Sequence, residues 1–305
     1  MARTALYAPA HRVAPRQPPG ASAPAANAAP SLDYLGSGIQ DHRLAWNSAN
    51  SSTGAQAIGW AGNHMKVTGQ VPSTIAAANI VASANATAAT LVLVTSSAAG
   101  ITVVPAGGFL CLPSQNTIPA GALCIDGLPT YNRFGSSDIT AFYSPGAGIS
   151  RCVSVTAAAS ATATSATISG WDYYGYPMTS TQTVTASATT NSLKAFKFIG
   201  SVVLNAADAS HAYSVGTADI FGFNLLTSLF SSALIFWNET LITANTGFVV
   251  PDTTNPATAA TGDVRGTYAV QSASDGTKRL NLFTSIGIGN VLTNPTTGLF
   301  GQAQV

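Results

Sequence analysis

Short apolar runs rich in β-branched residues recur along the chain from residue 71 onwards, and turn sequences separate them at intervals of about ten residues. Pro-Ala-Gly at 105–107 and 119–121, and Pro-Ser-Gln-Asn at 113–116, mark three of these turns. Such spacing is typical of sandwiches and barrels and disfavours alternating strands and helices. It predicts strands at 90–95, 101–104, 108–112, 122–125 and 138–143.

The same pattern continues after the Ser-Pro-Gly turn at 144–146. In the segment 151–157 valines alternate with Cys and Ser, which is the period-two pattern of a half-buried strand. Phe196 and Phe198 alternate in the same way across Lys197. The second half therefore predicts strands at 151–157, 163–170, 178–186, 195–204, 211–215, 233–237, 247–250, 263–270 and 278–284.

An aromatic segment separates the runs 163–170 and 178–186 and predicts the tip of a hairpin, because its Gly, Asp and Pro residues suit a tight connection. A solvated turn would normally carry small polar side chains, so these aromatic rings pack on something. They either cover the core of their own domain or anchor a protein interface, where Tyr and Trp are enriched. The residues concerned are Trp171, Tyr173, Tyr174 and Tyr176.

Threonines at every second position from 179 to 185 give the following strand one face of hydroxyl groups. This strand lacks the charged side chains that protect a free sheet edge from pairing with other strands. We expect a partner or a neighbouring subunit to cover it.

These patterns predict an all-β protein of antiparallel β-sandwich or jelly-roll-like regions with an extended N-terminal arm. The predicted divisions are the arm at 1–32, an N-terminal β region at 33–143 and a C-terminal β-sandwich domain at 144–305. The first β region opens with an irregular connection up to about residue 69, in which Trp46 and Trp60 pack. The alanine-rich window 75–89 is compatible with a short helix as well as with a strand.

The N-terminal arm holds Arg3, Arg12 and Arg16, no acidic residue and six prolines. A segment of this composition cannot bury enough apolar surface to fold alone. We therefore expect it to become ordered only on a partner.

Charged residues make up 8% of the 305-residue chain, about a third of the usual share, and Glu239 is its single glutamate. Exposed helices normally carry many Glu and Lys residues, so this composition argues against them. It also suits a protein that its neighbours largely cover. The net charge of +1 provides neither a basic face for nucleic acid nor an acidic face for cations, and no apolar run is long and uninterrupted enough to span a bilayer.

Three cysteines, Cys111, Cys124 and Cys152, are an odd number in a long chain and do not form a disulfide framework. We expect them to be reduced, buried thiols. Together with the histidines they show no metal-ligand spacing, and the sequence indicates no cofactor.

Two acid and imidazole pairs stand close in sequence: Asp41 with His42, and Asp208 with His211. Each could form part of a catalytic triad with a serine. The chain has no Gly-x-Ser-x-Gly nucleophile motif, however, and short-range Asp/His pairs often arise by chance. The sequence therefore favours a protein that is not an enzyme.

Charge is concentrated in two later segments, 263–265 and 275–279. An Asp/Arg network between two adjacent strands would explain this concentration, and an ion pair between subunits is the alternative. The residues concerned are Asp263, Arg265, Asp275, Lys278 and Arg279.

A set of motifs in the second half is distinctive when taken in order. They are Arg151-x-Val153-Ser154-Val155, Gly170-Trp171-Asp172-Tyr173-Tyr174-Gly175-Tyr176-Pro177-Met178-Thr179, Lys194-Ala195-Phe196-Lys197, Ser214-Val215-Gly216-Thr217-Ala218-Asp219-x-Phe221-Gly222, Thr261-Gly262-Asp263-Val264-Arg265-Gly266-Thr267-Tyr268 and Ser274-Asp275-Gly276-Thr277-Lys278-Arg279-Leu280. The set resembles a family of tailed-bacteriophage virion proteins that are encoded beside the major capsid protein, especially in short-tailed phages. Members usually have Thr-Glu-Thr after the Met, where this chain has Thr179-Ser180-Thr181. The likeness covers about residues 70–285 and supplies no catalytic residue.

The resemblance implies a virion protein and leaves two classes open. One is a capsid cement or decoration protein, which binds the assembled shell of major capsid protein from outside and stabilises it. The other is a tail, tail-tube or fibre component. The arm favours the first class, and the chain lacks the repeats expected of a fibre.

On this interpretation the protein assembles in the host cytoplasm and lies on the capsid exterior. Its partners are the major capsid protein and further copies of itself, for example in a trimer. Nucleic acid and membrane are not expected partners. The candidate interface residues are Arg3, Arg12, Arg16, Trp171, Tyr173, Tyr174, Tyr176, Arg265 and Arg279.

Overall fold

Every regular element in the described part of the chain is a β-strand, which confirms the all-β prediction. The structure is a computed structural model, and it describes residues 64–111, 114, 116–127, 130–131, 142–143, 149–223, 233–244, 246–252, 260–285 and 304. The strand pairs are antiparallel apart from β4 with β8, where Leu110 lies opposite Phe142 in a parallel register. The N-terminal arm, the Asp41 and His42 pair and most of the predicted strand 138–143 lie outside the described residues.

The described part of the chain contains nineteen strands. They are β1 (His64–Gln70), β2 (Ala76–Ala86), β3 (Ile101–Val103), β4 (Phe109–Cys111), β5 (Thr117–Ile118), β6 (Leu123–Ile125), β7 (Thr130–Tyr131), β8 (Phe142–Tyr143), β9 (Arg151–Ala157), β10 (Ser165–Trp171), β11 (Pro177–Thr183), β12 (Thr189–Asn191), β13 (Phe198–Leu204), β14 (Asp208–Gly222), β15 (Ala233–Trp237), β16 (Thr240–Ile242), β17 (Phe248–Val249), β18 (Thr267–Ala269) and β19 (Leu280–Ser285).

Four sheets are formed, and strands distant in sequence are neighbours in them. Sheet A has the order β1-β19-β15-β16, and sheet B has the order β12-β9-β14-β18-β17 with β2 also paired to β14. Sheet C has the order β11-β10-β13-β6-β3, and sheet D has the order β5-β4-β8-β7. β11 is therefore one of the two edge strands of sheet C.

Sheets B and C enclose the largest apolar cluster of the described residues. Sheet B contributes Val155 and Val215 to it, and sheet C contributes Ile168 and Val202, so the two sheets pack as a sandwich. A second cluster joins Phe221 and Tyr268 of sheet B to Ile235 and Leu280 of sheet A. A third joins Phe109 of sheet D to Cys124 and Phe198 of sheet C.

Two expectations about secondary structure are corrected by tertiary pairing. The window 75–89, which a helix could also have occupied, contains β2, because β14 supplies an antiparallel partner along it. The predicted strand 90–95 makes only an isolated bridge, between Thr90 and Val203.

β9 occupies the predicted residues 151–157, but it is buried on both faces and not on one. Val153 and Val155 belong to the core between sheets B and C. Cys152 belongs to a small cluster with Ala195 and Ala218. Strand alternation still divides the side chains between two faces, but here neither face is exposed to solvent.

Strands from the two sides of the predicted boundary at 143–144 share sheets. β2 pairs with β14, and β6 pairs with β13 through Cys124 and Phe198. The boundary does not separate two independent sheets.

Candidate functional site

Asp172 organises the turn between β10 and β11. Its Oδ1 accepts hydrogen bonds from the backbone N–H of Tyr174 at 2.9 Å and of Tyr176 at 2.8 Å. Gly175 follows with a φ of 84°, a conformation that favours glycine. A Cβ added to Gly175 would lie 2.5 Å from Cys111 Sγ, so packing also requires glycine there. The sequence thus builds the tight tip of a hairpin, as predicted.

The aromatic side chains of this tip cover the protein's own core. Tyr173 and Tyr174 are buried in the cluster between sheets A and B, with their rings edge to face at 5.1 Å. Trp171 and Tyr176 are half-buried against the cores. Of the two interpretations of the tip, the structure supports the lid, and Tyr173 and Tyr174 have almost no surface left for a partner.

Arg265, a second predicted interface residue, also points inward. It is buried, its Nη2 lies 2.9 Å from Asp172 Oδ2, and its Nε donates to Phe223 O at 3.1 Å. Its guanidinium lies 5.4 Å from the centre of the Tyr174 ring. Burial opposes ionisation of Arg265, but the carboxylates of Asp172 and Asp263 outweigh it and raise the pKa of Arg265. The ion pair fixes the hairpin tip to the loop before β18.

The expectation of an Asp/Arg network between adjacent strands is wrong. β18 lies in sheet B and β19 in sheet A, and Arg265 pairs with Asp172 from the hairpin tip. Asp275 instead accepts hydrogen bonds within its own turn from the hydroxyl and N–H of Thr277 and from the N–H of Lys278, which lower the pKa of Asp275. Arg279 is exposed. The remaining predicted residues, Arg3, Arg12 and Arg16, lie outside the described part of the chain.

Arg151 forms a buried cluster that the sequence analysis did not find. Its side chain is fully buried, and its guanidinium lies 5.1 Å from the centre of the Phe221 ring. Its acceptors come from four other segments of the chain: Ser73 O at 2.9 Å, Asp126 Oδ2 at 3.1 Å, Ala218 O at 2.9 Å, Asp219 Oδ1 at 2.6 Å and Ser274 Oγ at 3.1 Å. No local motif signals such a cluster, because its members are brought together only by the fold.

Lys197 is buried as well, although the alternation of Phe196 and Phe198 predicted an exposed side chain. Its Nζ donates to the carbonyl oxygens of Ile125, Asp126 and Gly127. Burial lowers the pKa of Lys197. The lysine therefore satisfies the backbone at the end of β6.

The outer edge of β11 holds a residue from the far end of the chain, Gln304. Thr179 N donates to Gln304 O at 3.0 Å, and Gln304 N donates to Pro177 O at 2.9 Å, which makes a parallel bridge opposite Met178. Lys194 Nζ donates to the same Gln304 O at 2.8 Å. Burial lowers the pKa of Lys194 to about 8, against the opposing effect of nearby carboxylates. This arrangement can bind an extended peptide by strand addition.

The Asp208 and His211 pair anchors the start of β14. Asp208 accepts hydrogen bonds from Thr162 N at 2.8 Å, Tyr213 Oη at 2.7 Å and His211 Nδ1 at 2.8 Å. The bonds from Thr162, Tyr213 and His211 lower the pKa of Asp208. These contacts tie the loop before β10 to β14, which is a structural role.

The described surface carries few charges. Among the charged residues whose exposure is described, the exposed ones are Glu239, Asp275 and Arg279. A groove of about 450 Å³ lies against β2 and residues 90–96, beside Val92, which is 82% exposed. In the part of the chain that the structure covers, no three His, Cys, Asp or Glu residues are placed to hold a metal ion. No helix among the described residues has the length and apolarity needed to cross a membrane.

Comparison with known proteins gives no match to a family model, to a curated protein or to a solved structure.

Proposed function

We propose that this protein is a bacteriophage capsid cement or decoration protein, which binds the assembled shell of major capsid protein and stabilises it. The observation that carries the proposal is the distribution of charge. Among the charged residues whose burial is described, eight are buried and three are exposed. The exposed ones are Glu239, Asp275 and Arg279.

A surface poor in charge suits close contact with neighbours. Free soluble domains usually have about 25–35% charged residues on the surface, whereas the centres of protein interfaces are depleted of charge. The exposed apolar side chains of Val92, Val249 and Val250 also favour contact with neighbouring proteins. Together with the resemblance of the ordered motifs to phage virion proteins, this surface favours a protein that is one component of a larger particle.

The N-terminal arm is the part that reaches neighbouring capsomers in this proposal. Its prolines and its three arginines, Arg3, Arg12 and Arg16, give it little capacity to fold alone. Ordering on the shell costs entropy, so its binding energy is spread over many modest contacts. The arm strengthens attachment without contributing to the β-sandwich.

The experiment mixes undecorated capsids with the full-length protein or with a variant lacking residues 1–30. Occupancy is measured by quantitative gel and by cryo-electron microscopy, and shell stability by heating. We expect the full-length protein to bind and raise the melting temperature of the shell, and the variant to bind more weakly. Circular dichroism of the variant provides the control for folding.

Equal occupancy and shell stability with both proteins would remove the arm from the mechanism. Failure of the full-length protein to bind capsids, together with its co-purification with tails, would contradict the proposal and favour a tail, tail-tube or fibre component.

A further inference from the structure

We infer that the outer edge of β11 is a peptide-binding site, and that its ligand is the C-terminal segment of a second copy of this chain. The inference starts from Gln304, the one described residue beyond β19. It forms an isolated parallel bridge with Met178 of β11.

The backbone of β11 is prepared for such an addition. In an antiparallel ladder, alternate residues direct their N–H and C=O groups to the two sides of the strand. Thr179 directs its N–H to Gln304, so Thr181 and Thr183 direct theirs to the same outer side. Sheet C ends at β11, and in the described residues Gln304 alone pairs with this outer edge. The strand bonds that carry the site are therefore those of Gln304 with Pro177 and Thr179; in this parallel register Thr181 and Thr183 lie on the side of the residues that follow Gln304 and not of those that precede it.

The site also recognises a side chain. Gln304 is 0% exposed, and its Oε1 accepts a hydrogen bond from Val264 N at 3.1 Å. Lys194 Nζ binds the backbone carbonyl of the same residue. Backbone bonds give affinity in strand addition, and a pocket for a side chain gives specificity. A glutamine at this position is the recognised feature.

The docking is incomplete, which favours exchange of the docked segment. Gln304 Nε2 is buried, yet no described residue accepts a hydrogen bond from it. A buried donor without a partner is unfavourable, because it has lost its hydrogen bonds to water. The segment is therefore held by specific contacts but with less than the full stabilisation they could give.

The length of chain before Gln304 allows the segment to reach a second copy. β19 ends at Ser285, and the intervening residues 286–303 can span at most about 60 Å when fully extended. This distance is longer than a small domain, so the same edge can be filled by the chain's own segment or by that of a neighbour. Exchange of identical segments is a low-cost route to association. Its use to link copies on a capsid rests on the proposed function, whereas the peptide-binding site does not.

The test uses the full-length chain with Gln304→Pro, because proline lacks the N–H that binds Pro177 O. This variant leaves the β11 edge free of its own segment. A fluorescent peptide with the sequence of residues 299–305 is titrated into it and followed by anisotropy. We expect binding at least tenfold tighter than to the wild-type chain, whose own segment competes.

Two matched variants test recognition. A peptide carrying Gln304→Ala keeps the backbone bonds and loses the side-chain contact, so we expect tenfold weaker binding. Lys194→Met in the Gln304→Pro chain should weaken binding of the wild-type peptide. Absence of peptide binding to the Gln304→Pro chain, or equal binding of both peptides, would overturn the inference.

The second copy is tested by light scattering on the wild-type and Gln304→Pro chains over a range of concentrations. We expect the wild type to self-associate more strongly. If the peptide binds but both chains remain monomeric at every concentration, the second copy is not the ligand. Should Gln304→Pro fail to fold, the two labelled peptides are titrated into the wild-type chain instead: the wild-type peptide should bind at least tenfold more tightly than the Gln304→Ala peptide, and binding of neither, or equal binding of both, would overturn the inference. Because capsids are absent from these experiments, failure here leaves the proposed function unaffected.

Discussion

At the scale of single residues, most of the charged side chains whose burial is described lie in the interior, where losing a partner lowers stability most. Arg265 and Asp172 form a buried pair, and Lys197 is held by three carbonyl groups. A buried pair is often no more stabilising than apolar residues of the same volume, but removing one partner leaves the other charge unpaired in the interior. The charges therefore specify which segments meet rather than adding net stability.

Replacing Arg265 by methionine should lower the free energy of unfolding by about 3–5 kcal/mol, because Asp172 would remain buried without its partner. Arg279→Met is the matched control, since Arg279 is exposed, and it should change stability by less than about 0.5 kcal/mol. Urea denaturation followed by tryptophan fluorescence measures both. Similar effects of the two substitutions would contradict a structural role for the Arg265 pair.

The three cysteines should be unreactive in the folded protein. Burial raises the pKa of Cys111 to about 12 and that of Cys124 to about 11, and it raises the pKa of Cys152 still further. The thiolate is the reactive form, so maleimide at neutral pH should label none of them until the protein is unfolded. Because the folded pKa values lie above the ordinary thiol value of 9.0, the unfolded state loses these protons first, and stability should fall as the pH rises from 9 to 11. A disulfide between Cys111 and Cys124 in most copies, detected by mass spectrometry without reduction, would contradict reduced thiols.

At the scale of elements, sequence patterns predict the bounds of strands and hairpins wherever residues close together in sequence decide the structure. β9 and β15 have the predicted bounds, and the hairpin of β10 and β11 pairs from Ser165 with Thr183 to Trp171 with Pro177. Alternation in β9 and around Lys197 misleads because cores flank these strands on both sides, so a polar residue turns inward and needs distant partners. Arg151 and Gln304 have no local signal at all. Their sites exist only after segments far apart in sequence have met.

The contact of β14 with β2 depends on a glycine. A Cβ added to Gly216 would lie 1.8 Å from Ala76 O, and a backbone atom cannot move aside as a flexible side chain can. Gly216→Ala should therefore cost about 3 kcal/mol, at the upper end of overpacking effects. Gly262→Ala is the control, since its nearest neighbour, Asp252 Cβ, would be 3.2 Å away. Thermal denaturation distinguishes them, and equal melting temperatures would show that the two strands separate without cost.

At the scale of the whole molecule, the described residues form four sheets, and each sheet pairs strands that are distant in sequence. This architecture follows from a composition rich in small and β-branched residues and poor in Glu and Lys. We expect helix to make up less than about 15% of the residues by far-ultraviolet circular dichroism, against roughly a third in an average globular protein. A spectrum dominated by helical minima would show that the complete chain is not an all-β protein.

The Arg151 cluster should make the described sheets unfold together. Arg151 lies on β9, and its partners Ser73, Asp126, Asp219 and Ser274 lie before β2, after β6, within β14 and before β19. Removing the guanidinium leaves two carboxylates, that of Asp126 buried and that of Asp219 partly so, without this cation.

Arg151→Met should therefore lower stability by about 3–5 kcal/mol while the protein still unfolds in a single transition. In each protein, circular dichroism and tryptophan fluorescence should give the same urea midpoint as each other. This common midpoint should be lower for the variant than for the wild type. Arg279→Met again provides the exposed control. The variant could instead keep its sheet signal in circular dichroism at urea concentrations where its fluorescence has already changed. In that case Arg151 stabilises only one part of the molecule, and the segments that meet at its side chain are not one cooperative unit.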